Sequence, residues 1–255
     1  KQDNMFEYWY MFPIGIIVAT LAMSTLVGGA TFFSPLFILV LQLEPTTAIA
    51  TALCVQFFGF GTGLVRYMFK GLIDYYMGSL LLIITIPYAI LGSFIAMKLD
   101  PYIIRIILGF IVLYIGYHMM NENRIFVKSG RKQIEIKFKE RRSKKSISIT
   151  KKNLFKNFVT TGIGSVFLGM TSAGLGELLG FNWIKKTDTE IKTIVATLLY
   201  LTAIATFVTS LYHGYRLMTT APEAFLKAKQ IIIFTVPGVI IGAILGVYII
   251  CCINE

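Results

Sequence analysis

GGATFFSP at residues 28–35 and GLGELLGF at residues 174–181 are two glycine breaks set in long apolar sequence, and reading them together decides the fold. Working outward from each, the same order of segments recurs. The first break is followed by TAIATALCV (47–55) and, beyond Arg66, by ITIPYAILGSFIA (84–96). The second is followed by IVATLLYL (194–201) and then FTVPGVIIGAILG (234–246). Ala50-Thr51 matches Ala196-Thr197 at an offset of 146, and Pro87, Gly92 and Ala96 match Pro237, Gly242 and Gly246 at an offset of 150. A duplicated set of apolar helices with glycine breaks and buried prolines is the build of a secondary transporter, its site between the halves.

The surrounding composition agrees. Of 255 residues 56% are hydrophobic, and the mean hydropathy is +0.72. Soluble domains hold roughly 45–50% apolar residues. The apolar residues fall in blocks at 11–42, 46–69, 75–97, 101–121, 158–184, 191–213 and 226–253. A helix needs about 20 such residues to cross ~30 Å of hydrocarbon. The expected fold is therefore an all-α integral membrane protein of about seven hydrophobic segments in two structural repeats. Residues 1–121 form the first membrane repeat, 122–157 a basic loop and 158–255 the second membrane repeat. The first block reads as part of this fold and is too long for a signal peptide.

Prolines punctuate the blocks. Pro13, Pro45, Pro101 and Pro222 stand where helices begin. Pro87 and Pro237 lie inside blocks, where proline frees a carbonyl and bends the helix. The P-x4-G-x3-small pattern after each predicts close helix packing.

The first block of each half is the difficult one. Residues 11–42 as one helix would be ~48 Å long, and Gly28-Gly29 cuts that run near its middle, as Gly174 and Gly176 cut its counterpart. Each half therefore opens with either one broken span or a re-entrant hairpin of two half-helices. Full spans make the halves parallel; hairpins make them inverted. With the basic loop inside, spans put 19 Lys/Arg inside and 5 outside, and hairpins 18 and 6. Charge does not separate the two. Broken helices accompany inversion in transporters, and inversion is the expectation taken here.

The net charge of +11 is concentrated: 13 of 24 Lys and Arg lie between Asn121 and Asn157. A run that basic reads as a cytoplasmic loop obeying the positive-inside rule, with some attraction to anionic headgroups. It has few aromatics and no nucleic-acid motif, so no nucleic-acid partner is expected. Its centre, QIEIKFKE (133–140), alternates enough for a short strand or hairpin. The partners expected are the lipid bilayer and a small solute. No cofactor and no metal are expected: Cys54, Cys251 and Cys252 form no CxxC, and His118 and His213 are single. Ser165 with His213 could suggest a membrane hydrolase, but no GxSxG elbow frames the serine.

The candidate site follows from the breaks. A half-helix N-terminus offers unpaired N–H groups and a positive dipole end, which suit an anion. Gly28, Gly29, Ala30 and Thr31 supply one such turn, preceded by Ser24 and Thr25; Thr171, Ser172, Ala173, Gly174 and Gly176 supply the other. Thr51 and Thr197 form a second pair in the following helices, although buried threonines commonly bond their own helix. Gln56 and its equivalent, Thr202, come next. Glu177 stands where the first half has Thr31, and an intramembrane carboxylate is costly enough to suggest a role, here ion coupling. Against that, it could pair with Lys185 or Lys186 at a membrane interface.

The tract GGATFFSPLFILVLQLEPTTAIATAL (28–53), a turn ending GLID, and the Pro87/Gly92 helix together resemble the TauE/SafE family of sulfite exporter-like permeases. The resemblance covers about 13–121 and 158–250. It implies transport of sulfite, a sulfonate or a related organosulfur anion, driven by an ion gradient, and no enzymatic activity. By position it implies a substrate region of Gly28–Pro35 and Thr51 with Gly174–Phe181 and Thr197. The second break departs from the pattern: Glu177 replaces a small residue, and Phe181 stands where the first half has Pro35. The competing readings are a transporter of a different solute and a membrane subunit that recruits partners through its basic loop.

Overall fold

The computed structural model describes residues 8–25, 28–114, 116–117, 151–186, 189 and 191–253. Among these the chain is helical throughout, with no strand. The first break separates α1 (Met11–Thr25) from α2 (Gly29–Leu39), and α3 (Pro45–Phe69), α4 (Tyr75–Lys98) and α5 (Pro101–Tyr114) follow. The second separates α6 (Lys151–Thr171) from α7 (Leu175–Lys186), followed by α8 (Ile191–Thr220) and α9 (Pro222–Ile253).

Local chemistry sets the ends. Pro45 and Pro222 open α3 and α9, where a missing N–H costs nothing. Asp74 caps α4, its carboxylate accepting the Met77 N–H at 3.0 Å. Gly71, at φ +60°, turns the chain out of α3. Two boundaries differ from those read off the sequence. Helix α6 begins at Lys151, inside the range taken as basic loop, because lysine sustains a helix well and the end of the charge run need not be the start of the helix. The QIEIKFKE segment lies outside the described residues. In the second break the helix stops at Thr171 and resumes at Leu175, so Gly176 sits within α7 rather than in the break.

Among the described residues four helices are long and apolar enough to cross a membrane: Pro45–Phe69, Tyr75–Lys98, Lys192–Thr220 and Pro222–Ile249. At 1.5 Å per residue α1 and α2 reach only about 22 and 16 Å, too short to cross singly. Both broken pairs fold back on themselves. Asn182 near the end of α7 donates to Asn157 near the start of α6 at 2.8 Å. Met11 at the start of α1 shares a core with Phe37 near the end of α2 and with Leu43 beyond it.

The pairing of helices extends these contacts. α1 lies along α9 in the same direction: Gly238 abuts the Phe12 carbonyl, Gly242 the Ile16 carbonyl, and Gly246 meets Thr20 and Met23. α4 lies along α6 likewise, with Gly162 against Tyr88, Gly92 against the Val166 carbonyl and Gly169 against Ala89. At Gly92 and Gly242 an added methyl would run into backbone, the close approach that small residues permit between membrane helices. α3 and α8 cross in opposite directions, with Phe57 against Phe207 and Gly63 against Leu199. Large apolar side chains such as Ile83, Phe110, Leu211 and Tyr248 face outward, as a lipid-contacting surface requires.

Candidate functional site

The two helix breaks meet in the middle of the bundle. Gly28 and Gly174 immediately precede the first helical residues of α2 and α7. The α2 turn closes through the Thr31 N–H to the Gly28 carbonyl at 2.9 Å, and the α7 turn through the Leu178 N–H to the Gly174 carbonyl at 3.0 Å. Gly28 has an ordinary extended backbone, whereas Gly174 has φ +117°. Ser172 just before it has φ +65°, uncommon for a residue with a side chain. Leu175 packs under Gly164 where the chain reverses.

Glu177 joins these two N-termini. Its Oε2 accepts the Gly174 N–H at 2.9 Å, the return bond of a capping box in its own helix. Its Oε1 accepts the Gly28 N–H at 2.8 Å and the Thr31 hydroxyl at 2.9 Å, both from the other half of the chain. Only 3% of the residue is exposed. One carboxylate thus takes the N-cap amides of both half-helices, at the positive ends of both dipoles.

Around it the polar groups continue. Gln56 from α3 accepts the Ala30 N–H at 2.7 Å. The Ser34 hydroxyl meets that of Ser172 at 2.5 Å; Ser172 in turn donates to the Thr171 carbonyl, so Ser34 is the donor between the two. A cavity of about 30 Å³ adjoins Glu177, lined by Gln56, Gly28, Ser172, Gly176 and Thr202 and by apolar side chains including Met23 and Leu168.

The structure therefore brings together Gly28, Ala30, Thr31, Gln56, Ser172, Gly174, Gly176 and Glu177 among the residues expected from the sequence. Gly29 packs within its own hairpin, nearest Ala22 and Phe33. Thr171 bonds its own helix at Phe167. Thr51 and Thr197 do the same, to Thr47 at 2.7 Å and Thr193 at 2.8 Å, and neither lines the cavity. Thr197 also accepts the Asp74 N–H at 3.0 Å, tying α8 to the start of α4. Ser165 donates to Thr161 in its own helix and His213 Nε2 bonds the Gly169 carbonyl, so the two form no catalytic pair. No group of three metal-ligating side chains occurs among the described residues. The side chains of Lys185 and Lys186 lie outside the described ones, as does His118.

Sequence reasoning missed the Ser34–Ser172 contact, for which no spacing gives a signal. It also missed that Gly28 and Thr31 share Glu177 as acceptor. The signal for that was present: Gly28 and Thr31 match Gly174 and Glu177 at the same offset of 146 as the threonines.

Neither a curated protein nor a solved structure shows significant similarity to the chain. A family model described as Sulfite exporter TauE/SafE matches residues 11–254, nearly the whole length. The chain belongs to the TauE/SafE sulfite exporter family, and is thereby an integral membrane transporter for sulfur-containing anions and not an enzyme.

Proposed function

We propose that this chain moves sulfite, a sulfonate or a related small organosulfur anion across the cell membrane by alternating access, at a site where α2 and α7 meet. The observation that carries this reading is the convergence of the Gly28 and Gly174 N–H groups on one anionic group. Two dipole ends and the Thr31 hydroxyl hold a negative charge with no buried Lys or Arg among the described residues. Such donors suit an oxyanion that must also leave, since no full countercharge traps it.

The same proposal takes the two halves as inverted repeats. Exchanging α1 to α4 for α6 to α9 maps the α1–α9 pair onto α6–α4, and the Gly92–Val166 approach onto Gly242–Ile16 at an offset of 150. The equivalent helices α3 and α8 run in opposite directions, which an in-plane two-fold axis requires and parallel halves do not. With the basic loop cytoplasmic, the N-terminus then lies outside and the C-terminus inside.

The test is flux of sulfite, with thiosulfate and sulfoacetate in parallel, into proteoliposomes with and without an imposed proton gradient. Saturable, gradient-dependent flux is expected. Well-inserted protein that passes none of the three anions would rule the reading out.

A further inference from the structure

The transported anion needs donors, and in this structure a side chain already has them. Glu177 takes the N-cap amides of α2 and α7 and the Thr31 hydroxyl. The space left beside it is about 30 Å³, room for roughly two waters. A sulfonate or sulfite head, with three oxygens on sulfur, reaches both N-termini only if the carboxylate gives up its place. A second feature marks the cavity as a ligand site. Gln56, a residue 3% exposed, lines the same cavity beside Gly28, and its NH2 makes no hydrogen bond among the described residues.

We propose that Glu177 is a built-in occupant of the anion site, and that anion loading requires it to take up one proton. Ionised, the carboxylate competes with the anion for the same donors. Protonation from the aqueous phase makes it a neutral carboxyl that holds them much more weakly than the carboxylate, and the anion replaces it between the two helix ends while Gln56 donates to a further oxygen. One proton is bound per anion loaded, so the pair crosses together and the gradient drives the anion. Met23 of α1, Leu168 of α6 and Thr202 of α8 face the cavity, and among the described residues that line it only Glu177 is ionisable. The proton therefore has a single acceptor there.

This assignment rests on the anion-transport reading, and the experiment separates the two. Binding of methanesulfonate, whose charge is constant with pH, is measured calorimetrically on the full chain in detergent across a pH series. Wild type should bind more tightly as pH falls, by up to about tenfold per pH unit where Glu177 is ionised. E177A should bind more tightly than wild type at neutral pH, with no pH slope. E177Q, close in shape and keeping one oxygen that can accept from the Gly28 N–H and the Thr31 hydroxyl, should also lose the slope. A flat wild-type profile, or a slope that survives in E177Q, overturns the assignment. If wild type still passes anions in proteoliposomes, the transport reading stands without it. If micelles bind no methanesulfonate and vesicles pass no anion, both fall.

Discussion

Gly28 and Gly174 occupy matched positions, yet the two glycines are needed for different reasons. At Gly28 the backbone suits any residue, but a Cβ would lie 3.1 Å from Glu177 Oε1 and 3.4 Å from Gln56 Nε2. At Gly174 the backbone itself, at φ +117°, disfavours a side chain, and a Cβ would lie 3.0 Å from that of Phe167. Gly28→Ala should therefore fold with a near-normal unfolding temperature and lose at least about tenfold in flux, because the methyl intrudes on the donor set. Gly174→Ala should lose stability as well, by about 1–3 kcal/mol. Thermal unfolding in detergent beside vesicle flux separates the two; equal unfolding temperatures would contradict the backbone argument. Thr51 shows how a residue pair can mislead. The match with Thr197 was legible in the sequence, but each hydroxyl satisfies a carbonyl one turn back, a choice that spacing cannot reveal.

At the scale of elements, stability depends on two close crossings that are built alike. Gly92 lets α4 meet α6, and Gly242 lets α1 meet α9, each against a backbone carbonyl. Replacing either by valine forces the helices apart, and a loss of about 1–3 kcal/mol or more is expected for each, read as a fall in unfolding temperature. Gly61 in α3 is the control, since a Cβ there would meet nothing within 4 Å. Gly61→Ala should leave stability unchanged or raise it by up to ~1 kcal/mol, as alanine is the better helix former. If Gly92→Val and Gly61→Ala behave alike, the crossing is not close. The proline-glycine pattern foretold these contacts because small residues in apolar helices have little other use. It could not name the partner helix, which depends on how the chain returns.

For the whole molecule, the decisive question is where each half-helix pair ends. The proposed inverted arrangement puts Trp9 and the basic loop on opposite membrane faces. In a cysteine-free background, Trp9→Cys should react with an impermeant thiol reagent from outside, and Ser143→Cys only after permeabilisation. Labelling of both from the same side would mean that α1 and α2 cross. Replacing residues 122–150 by a neutral linker should leave flux in vesicles within about twofold, as the donor set lies far along the chain in α2 and α7. Loss of flux would favour a recruiting role for the loop.

The sequence by itself determined the membrane setting, the helical class, the two breaks and the family resemblance. Each follows from composition or local pattern: twenty apolar residues need a helix in lipid, and glycine interrupts one. Only the tertiary structure decided that the broken pairs fold back, since span and hairpin have the same local chemistry and nearly the same charge balance. It alone also gave Glu177 its partners. The carboxylate's cost in the membrane was legible in one letter of the sequence. Its solution was not, because the Gly28 N–H and the Thr31 hydroxyl come from nearly 150 residues away, brought there by helix packing that no local pattern encodes.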